Sequence, residues 1–262
     1  MAPNDTSCSD DGLVHIEADD RLVVLARTMD VKDGEVEAEL KENALNWSRF
    51  GETCLGQALY RHRSVYQNAS DATVWSHVEL SYFQHIISAG AIRELVRDEQ
   101  PAGLHLLRSE VLLTTPSSFV LPRDWQGWAD HKELQASLEF LDVSPEHLAE
   151  YRSAMQDYCG PAAAKLVRSK KFGTFRAMET AAILYQDDGF AIDWNQLHVC
   201  ELNPDGFEGF GKEFGDALRE DLPDGAELSD TFAGLGQIRT VPRWTFNDAL
   251  VEADLALAQL RG

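Results

Sequence analysis

The stretch QLHVCEL, residues 196 to 202, brings a histidine, a cysteine and a glutamate close together. Read as a strand, it puts His198 and Cys200 on one face and Glu201 on the other. His198 and Cys200 then suit two metal ligands, or an acid–base group beside a thiolate. Glu201, next to a glycine-containing segment, suits a general base. The plainer reading is a buried strand in which the cysteine is inert.

A second stretch, WSHVELSYFQHIISAG (75 to 90), carries His77, Ser81 and His85 at every fourth position. On a helix, imidazoles eight residues apart are about 12 Å distant along the axis, too far to share one ion. The metalloprotease pattern HExxH is absent. His85 borders the apolar stripe, so it is the candidate catalytic residue of this stretch and a metal ligand alongside His198. YRHRS (60 to 64) adds Arg61 and Arg63, whose guanidinium groups suit the phosphate or carboxylate of a small substrate, or simply pair with neighbouring acids. Gathered around one cleft, Arg61, His85 and Glu201 fit a transferase. A metal held by His85 and His198 fits hydrolysis or oxygen chemistry.

No GxGxxG, P-loop or GxSxG motif, zinc-finger spacing or EF-hand loop occurs. No cofactor is therefore specified. Cys159, followed by Gly160 and Pro161, has no identifiable base. The four cysteines are widely spaced, which speaks for a reduced, cytoplasmic setting rather than a disulfide framework. The N-terminus has no basic and apolar signal region, and no apolar run approaches the roughly 20 residues of a membrane span.

The chain has 262 residues and a formal charge of -21. Such a charge disfavours non-specific nucleic-acid and anionic-membrane binding, and is compatible with a cationic partner.

The elements that must position these residues read as α+β. Residues 1–11 form a disordered lead-in, and 12–262 a single domain with a possible subdivision near 113–130. Strands are expected at 13–17 and 21–28, and GEVEAEL (34 to 40) alternates as a third. Residues 58–66 suit a strand or the start of a helix. A broadly buried helix is expected from Ser76 to Arg97, with Ser76 and Glu79 as a capping box. Residues 113–130 read as a loop and 131–140 as a helix. Ser144 and Pro145 open a helix with the apolar stripe Leu148, Tyr151, Met155 and Tyr158, which Gly160 and Pro161 close. A helix start giving way to strands is expected over 176–202, then a loop with Gly206, Gly209 and Gly211, and a short helix at 212–220. Thr245 is expected to cap a C-terminal helix bearing Phe246, Leu250 and Leu257. No internal repeat is visible.

Two function classes remain. One is a soluble enzyme acting on a small molecule or a protein side chain through His85, His198 and Glu201, with or without a metal. The other is a non-catalytic acidic protein, inhibitor- or antitoxin-like, docking on a cationic protein partner.

Overall fold

A computed structural model describes residues 12–46, 54–68, 75–84, 102–124, 135–202, 204–222 and 234–252. Among the described residues nine strands form one antiparallel sheet: β1 (Leu13–His15), β2 (Val23–Val31), β3 (Cys54–Asn68), β4 (His77–Phe83), β5 (Leu104–Pro122), β6 (Gln135–Val143), β7 (Phe172–Gln186), β8 (Gln196–Leu202) and β9 (Arg239–Val251). Their order is β1-β5-β2-β4-β3-β9-β6-β8-β7, and a further β5–β7 pairing closes the ring from β5 to β7 into a barrel, with β1 outside it. The longer helices among the described residues are α1 (Gly34–Leu45), α2, a continuous run over 145–168, and α3 (Pro204–Arg219). The α+β class with antiparallel strands thus holds.

The barrel is built twice over. Strands β2, β3, β4 and β5 lie in the order fourth-first-third-second, and so do β6, β7, β8 and β9. The sequence shows no repeat because the halves share strand order rather than residues. Inside the ring Tyr60, Tyr82, Trp75, Phe140 and Trp194 form a closed aromatic core. Outside it, α2 and α3 cover the second half, and α1 packs on the first.

Several expectations are corrected. GEVEAEL is helical: Asp33 accepts from the Glu35 amide at the N-terminus, and the buried residues Val36, Leu40 and Ala44 recur every fourth position. Ala38, which the alternating reading placed in the core, is exposed. The first part of the helix expected from Ser76 to Arg97 is instead strand β4, all seven of whose residues are buried, while 85–97 lie outside the described residues. A strand covered on both faces shows no alternation, so its apolar run imitates a buried helix. Ser76 accepts from the Val31 amide and Glu79 pairs with Arg27, so neither caps anything. The loop expected at 113–130 is strand as far as Pro122, and the helix expected at 131–140 is β6 from Gln135. Residues 125–134, which fall in both expectations, lie outside the described residues. The α2 run does not stop at Gly160 but continues to Arg168, and the glycine loop from 204 is the start of α3. Thr245, Phe246 and Leu250 belong to β9, while 253–262 and 1–11 lie outside the described residues. Among the described residues no helix is long and apolar enough to cross a membrane.

Candidate active site

Alternation along β6 and β8 decides what faces α2 and α3. Leu138 and Phe140 point into the barrel, and so do Leu197 and Val199. Ser137 and Glu139 on β6, with His198 and Cys200 on β8, therefore point outward. The helices do not close flush over them. A cavity of about 420 Å³ is left between the sheet and the helices, and β9 contributes Arg239, Val241, Trp244 and Phe246 to its wall.

The polar groups of this wall are linked. His198 Nδ1 lies 3.3 Å from Glu139 Oε2, and Tyr151 Oη of α2 lies 2.8 Å from His198 Nε2. Arg239 Nη2 stands 3.8 Å from the other Glu139 oxygen. Burial opposes a charge on Glu139, but the hydrogen bond from His198 and the charge of Arg239 outweigh it and hold the carboxyl below its usual range. An ionised carboxylate only accepts, so His198 donates its Nδ1 proton to Glu139, and in the neutral imidazole Nε2 accepts from the Tyr151 hydroxyl. Burial raises the Tyr151 phenol far above its ordinary value, which keeps it a donor. Arg239 stays charged; burial disfavours this, but Glu139 and Tyr151 more than compensate.

The remaining wall is apolar and aromatic. Phe175 meets the His198 ring edge-on, with centroids 5.9 Å apart. Trp244 donates through Nε1 to Ser137 Oγ at 2.7 Å. Tyr66 of β3, 63 % exposed, stands edge-on to Trp244 at 4.7 Å and so forms the outer lip. An apolar cavity with a few convergent polar groups is the usual form of a small-molecule site. This one can hold an apolar body, place a negative oxygen near Arg239, and take up a proton at the Glu139–His198 pair.

The residues singled out from sequence are dispersed. His198 and Cys200 line the cavity. Burial pushes the Cys200 thiol well up, and the Cys159 thiol to about 11, the opposite of what a nucleophile requires. Glu201 is on the far side of the sheet, inside the barrel. There it accepts from Tyr60 at 2.8 Å and Thr174 at 3.1 Å, and pairs with Arg176 at 2.9 Å. It is wholly enclosed and shares no space with His198, so the structure does not put it in reach of a substrate. Arg61 pairs with Glu37 at 3.2 Å and Asp248 at 3.1 Å, Arg63 stands 3.9 Å from Asp248, and neither lines the cavity. His85 lies outside the described residues. The metal assignment is corrected: among the described residues no group of three or more histidine, cysteine, aspartate or glutamate side chains converges on an ion site. His198 has both nitrogens engaged by Glu139 and Tyr151 instead.

Glu139, Tyr151 and Arg239 were not singled out from sequence. Glu139 is an acid within the apolar run SLEFL, and a strand reading would have set it on one face with Ser137. Tyr151 was absorbed into the stripe of a helix, and Arg239 carries no local signal.

No family model and no curated protein matches the chain. Solved structures do resemble it. An anthrone oxidase-like protein has 12 % identity and a TM-score of 0.54, over 93 % of this chain and 96 % of that one. A monooxygenase-like protein of Fusobacterium nucleatum has 9 % identity and a TM-score of 0.48, covering 88 % and 93 %. A DyP-type peroxidase-like protein of Shewanella oneidensis has 9 % identity and a TM-score of 0.49, covering 87 % and 93 %. At such identities the first of these establishes a shared fold. The transferase and hydrolase expectations are corrected by that likeness, which runs to an oxidase-like protein.

Proposed function

We propose that the chain is an enzyme that oxidises a small, mainly apolar molecule bearing one ionisable oxygen. The observation that carries this reading is the linked set Glu139, His198 and Arg239 on the wall of an otherwise apolar cavity, with the buried Tyr151 bonded to His198. In this reading Arg239 holds the substrate oxygen as its negative charge develops. The Glu139–His198 pair receives the proton that leaves the substrate, and the electron pair of the broken bond stays on the substrate. The likeness to an anthrone oxidase-like protein favours oxidation as the reaction class and an aromatic ketone as the first compound to try. With dioxygen as oxidant, a methylene becomes a carbonyl: one oxygen atom enters the substrate, and the other leaves as water with the two hydrogens.

An oxygen electrode tests the proposal. Anthrone and a panel of phenols and aromatic ketones are supplied to the purified protein and to Glu139→Gln and Arg239→Met. Oxygen uptake matched to substrate loss, and abolished in both variants, is the expected result. Uptake that survives both substitutions, or no uptake with any compound, overturns it.

A further inference from the structure

Where α2 packs on β5, the sheet and the helix are both irregular. Strand β5 loses register with β7 between Thr114 and Phe119, and within that bulge Ser117 has a φ of 58°, a left-handed conformation disfavoured for a residue with a side chain. The helix answers with a π-turn, Met155–Cys159, in the middle of α2. The fit is close. A Cβ on Gly160 would lie 2.1 Å from the Ser117 carbonyl oxygen, so only glycine admits the bulge. The Met155 carbonyl accepts from the Gly160 amide in the wide π register, and also from the Ser118 hydroxyl at 2.6 Å.

The π-turn matters to the cavity. In a regular helix four residues advance about 400°, so Met155 and Cys159 would be turned about 40° apart around the axis. The wider turn changes that angle, and Met155 and Cys159 both line the cavity. Tyr151, one turn earlier, is the residue whose hydroxyl fixes His198 Nε2. π-Turns inside α-helices occur frequently at functional sites.

We propose that Ser118 and Gly160 are positioning residues: by locking the π-turn of α2 onto the β5 bulge, they set the Tyr151 hydroxyl on His198. The inference rests on the reading of His198 as part of the active site, but its test needs neither substrate nor turnover. Protein labelled with ¹⁵N-histidine reports the hydrogen bond at Nε2 through that nitrogen's chemical shift. His198→Gln assigns the resonance, and Tyr151→Phe marks its position with the bond removed. Ser118→Ala is expected to move the resonance at least half of the way to the Tyr151→Phe position. Ser109→Ala, a truncation of another fully buried serine on β5, is expected to leave it in place. Gly160→Ala, which drives the helix off the bulge, is the second variant should Ser118→Ala fold poorly, and is expected to move the resonance in the same direction. A wild-type resonance in the folded Ser118 or Gly160 variant, or equal displacement by Ser109→Ala, overturns the proposal. Oxygen uptake by Glu139→Gln is read separately, so failure of the oxidase reading is distinguished from failure of this one.

Discussion

The outer faces of the two halves carry different chemistry at matching positions. Arg27 is the fifth residue of β2, as Glu139 is the fifth of β6; Glu79 is the third of β4, as His198 is the third of β8. Each pair sits across the same two neighbouring strands, Arg27 opposite Glu79 and Glu139 opposite His198. In the first half the pair is an ion pair buried with an almost fully enclosed Glu79. In the second half it is a carboxylate and an imidazole at the wall of a cavity, with Arg239 and Tyr151 added. The same scaffold position supports cohesion in one case and reactivity in the other. The difference lies in whether space is left above the pair: Glu139 and His198 line a cavity, whereas Glu79 is enclosed.

The largest effect should come from breaking the first pair. Arg27→Met leaves Glu79 buried without its cation, and the expected loss is about 3–5 kcal/mol of stability, measured by denaturant unfolding. Glu139→Gln should do the reverse. It keeps an acceptor toward His198, so stability should fall by only about 1 kcal/mol, while turnover falls by about 10²-fold or more. A Glu139→Gln protein that unfolds as readily as Arg27→Met would erase the contrast between the halves.

The acid limb of stability sharpens it further. The folded-state pKa of Glu139 is depressed below its ordinary 4.5, because the hydrogen bond from His198 and the charge of Arg239 prevail over burial. Its contribution is therefore fully present above pH 4.5 and is lost as the pH falls through the lower folded value. Unfolding midpoints followed downward from pH 6 should drop less steeply in Glu139→Gln than in the wild type. The smallest effect belongs to the lip. Tyr66→Ala should leave stability unchanged, because the ring is mostly exposed, and weaken ligand affinity by about 0.5–1.5 kcal/mol, the worth of an aromatic contact. Titration calorimetry on the first ligand found would read this.

Legibility in the sequence followed packing. The helix at Ser144 was plain, because a proline at its first position and a one-sided stripe are local signals. The two central strands, β4 and β8, were harder, since all their residues are buried and the sequence carries no period to read. Ser76 to Arg97 reads as a helix although His77–Phe83 is strand, whereas QLHVCEL, bounded by turn formers, reads as the strand it is. Alternation within QLHVCEL correctly separated His198 and Cys200 from Glu201, but could not say which side held a cavity. That depends on α2 and α3 standing away from the sheet, a property of side chains from β6, β9 and both helices. The partners of His198 come from positions 139, 151 and 239, and no local pattern links them.

The ring closure through β5 and β7 has a consequence for how the chain can be divided. Every strand of the ring is hydrogen-bonded on both sides, so the ring itself offers no open edge to another chain. Severed in the connection between β5 and β6, the chain would yield two pieces of four ring strands each. The first would expose β3 and β5, the second β9 and β7. Those are the edges that bond to one another in the intact ring, as β3 with β9 and β5 with β7. Each piece alone is thus an aggregation hazard, while the two expressed together carry complementary edges and should reassemble as a split protein.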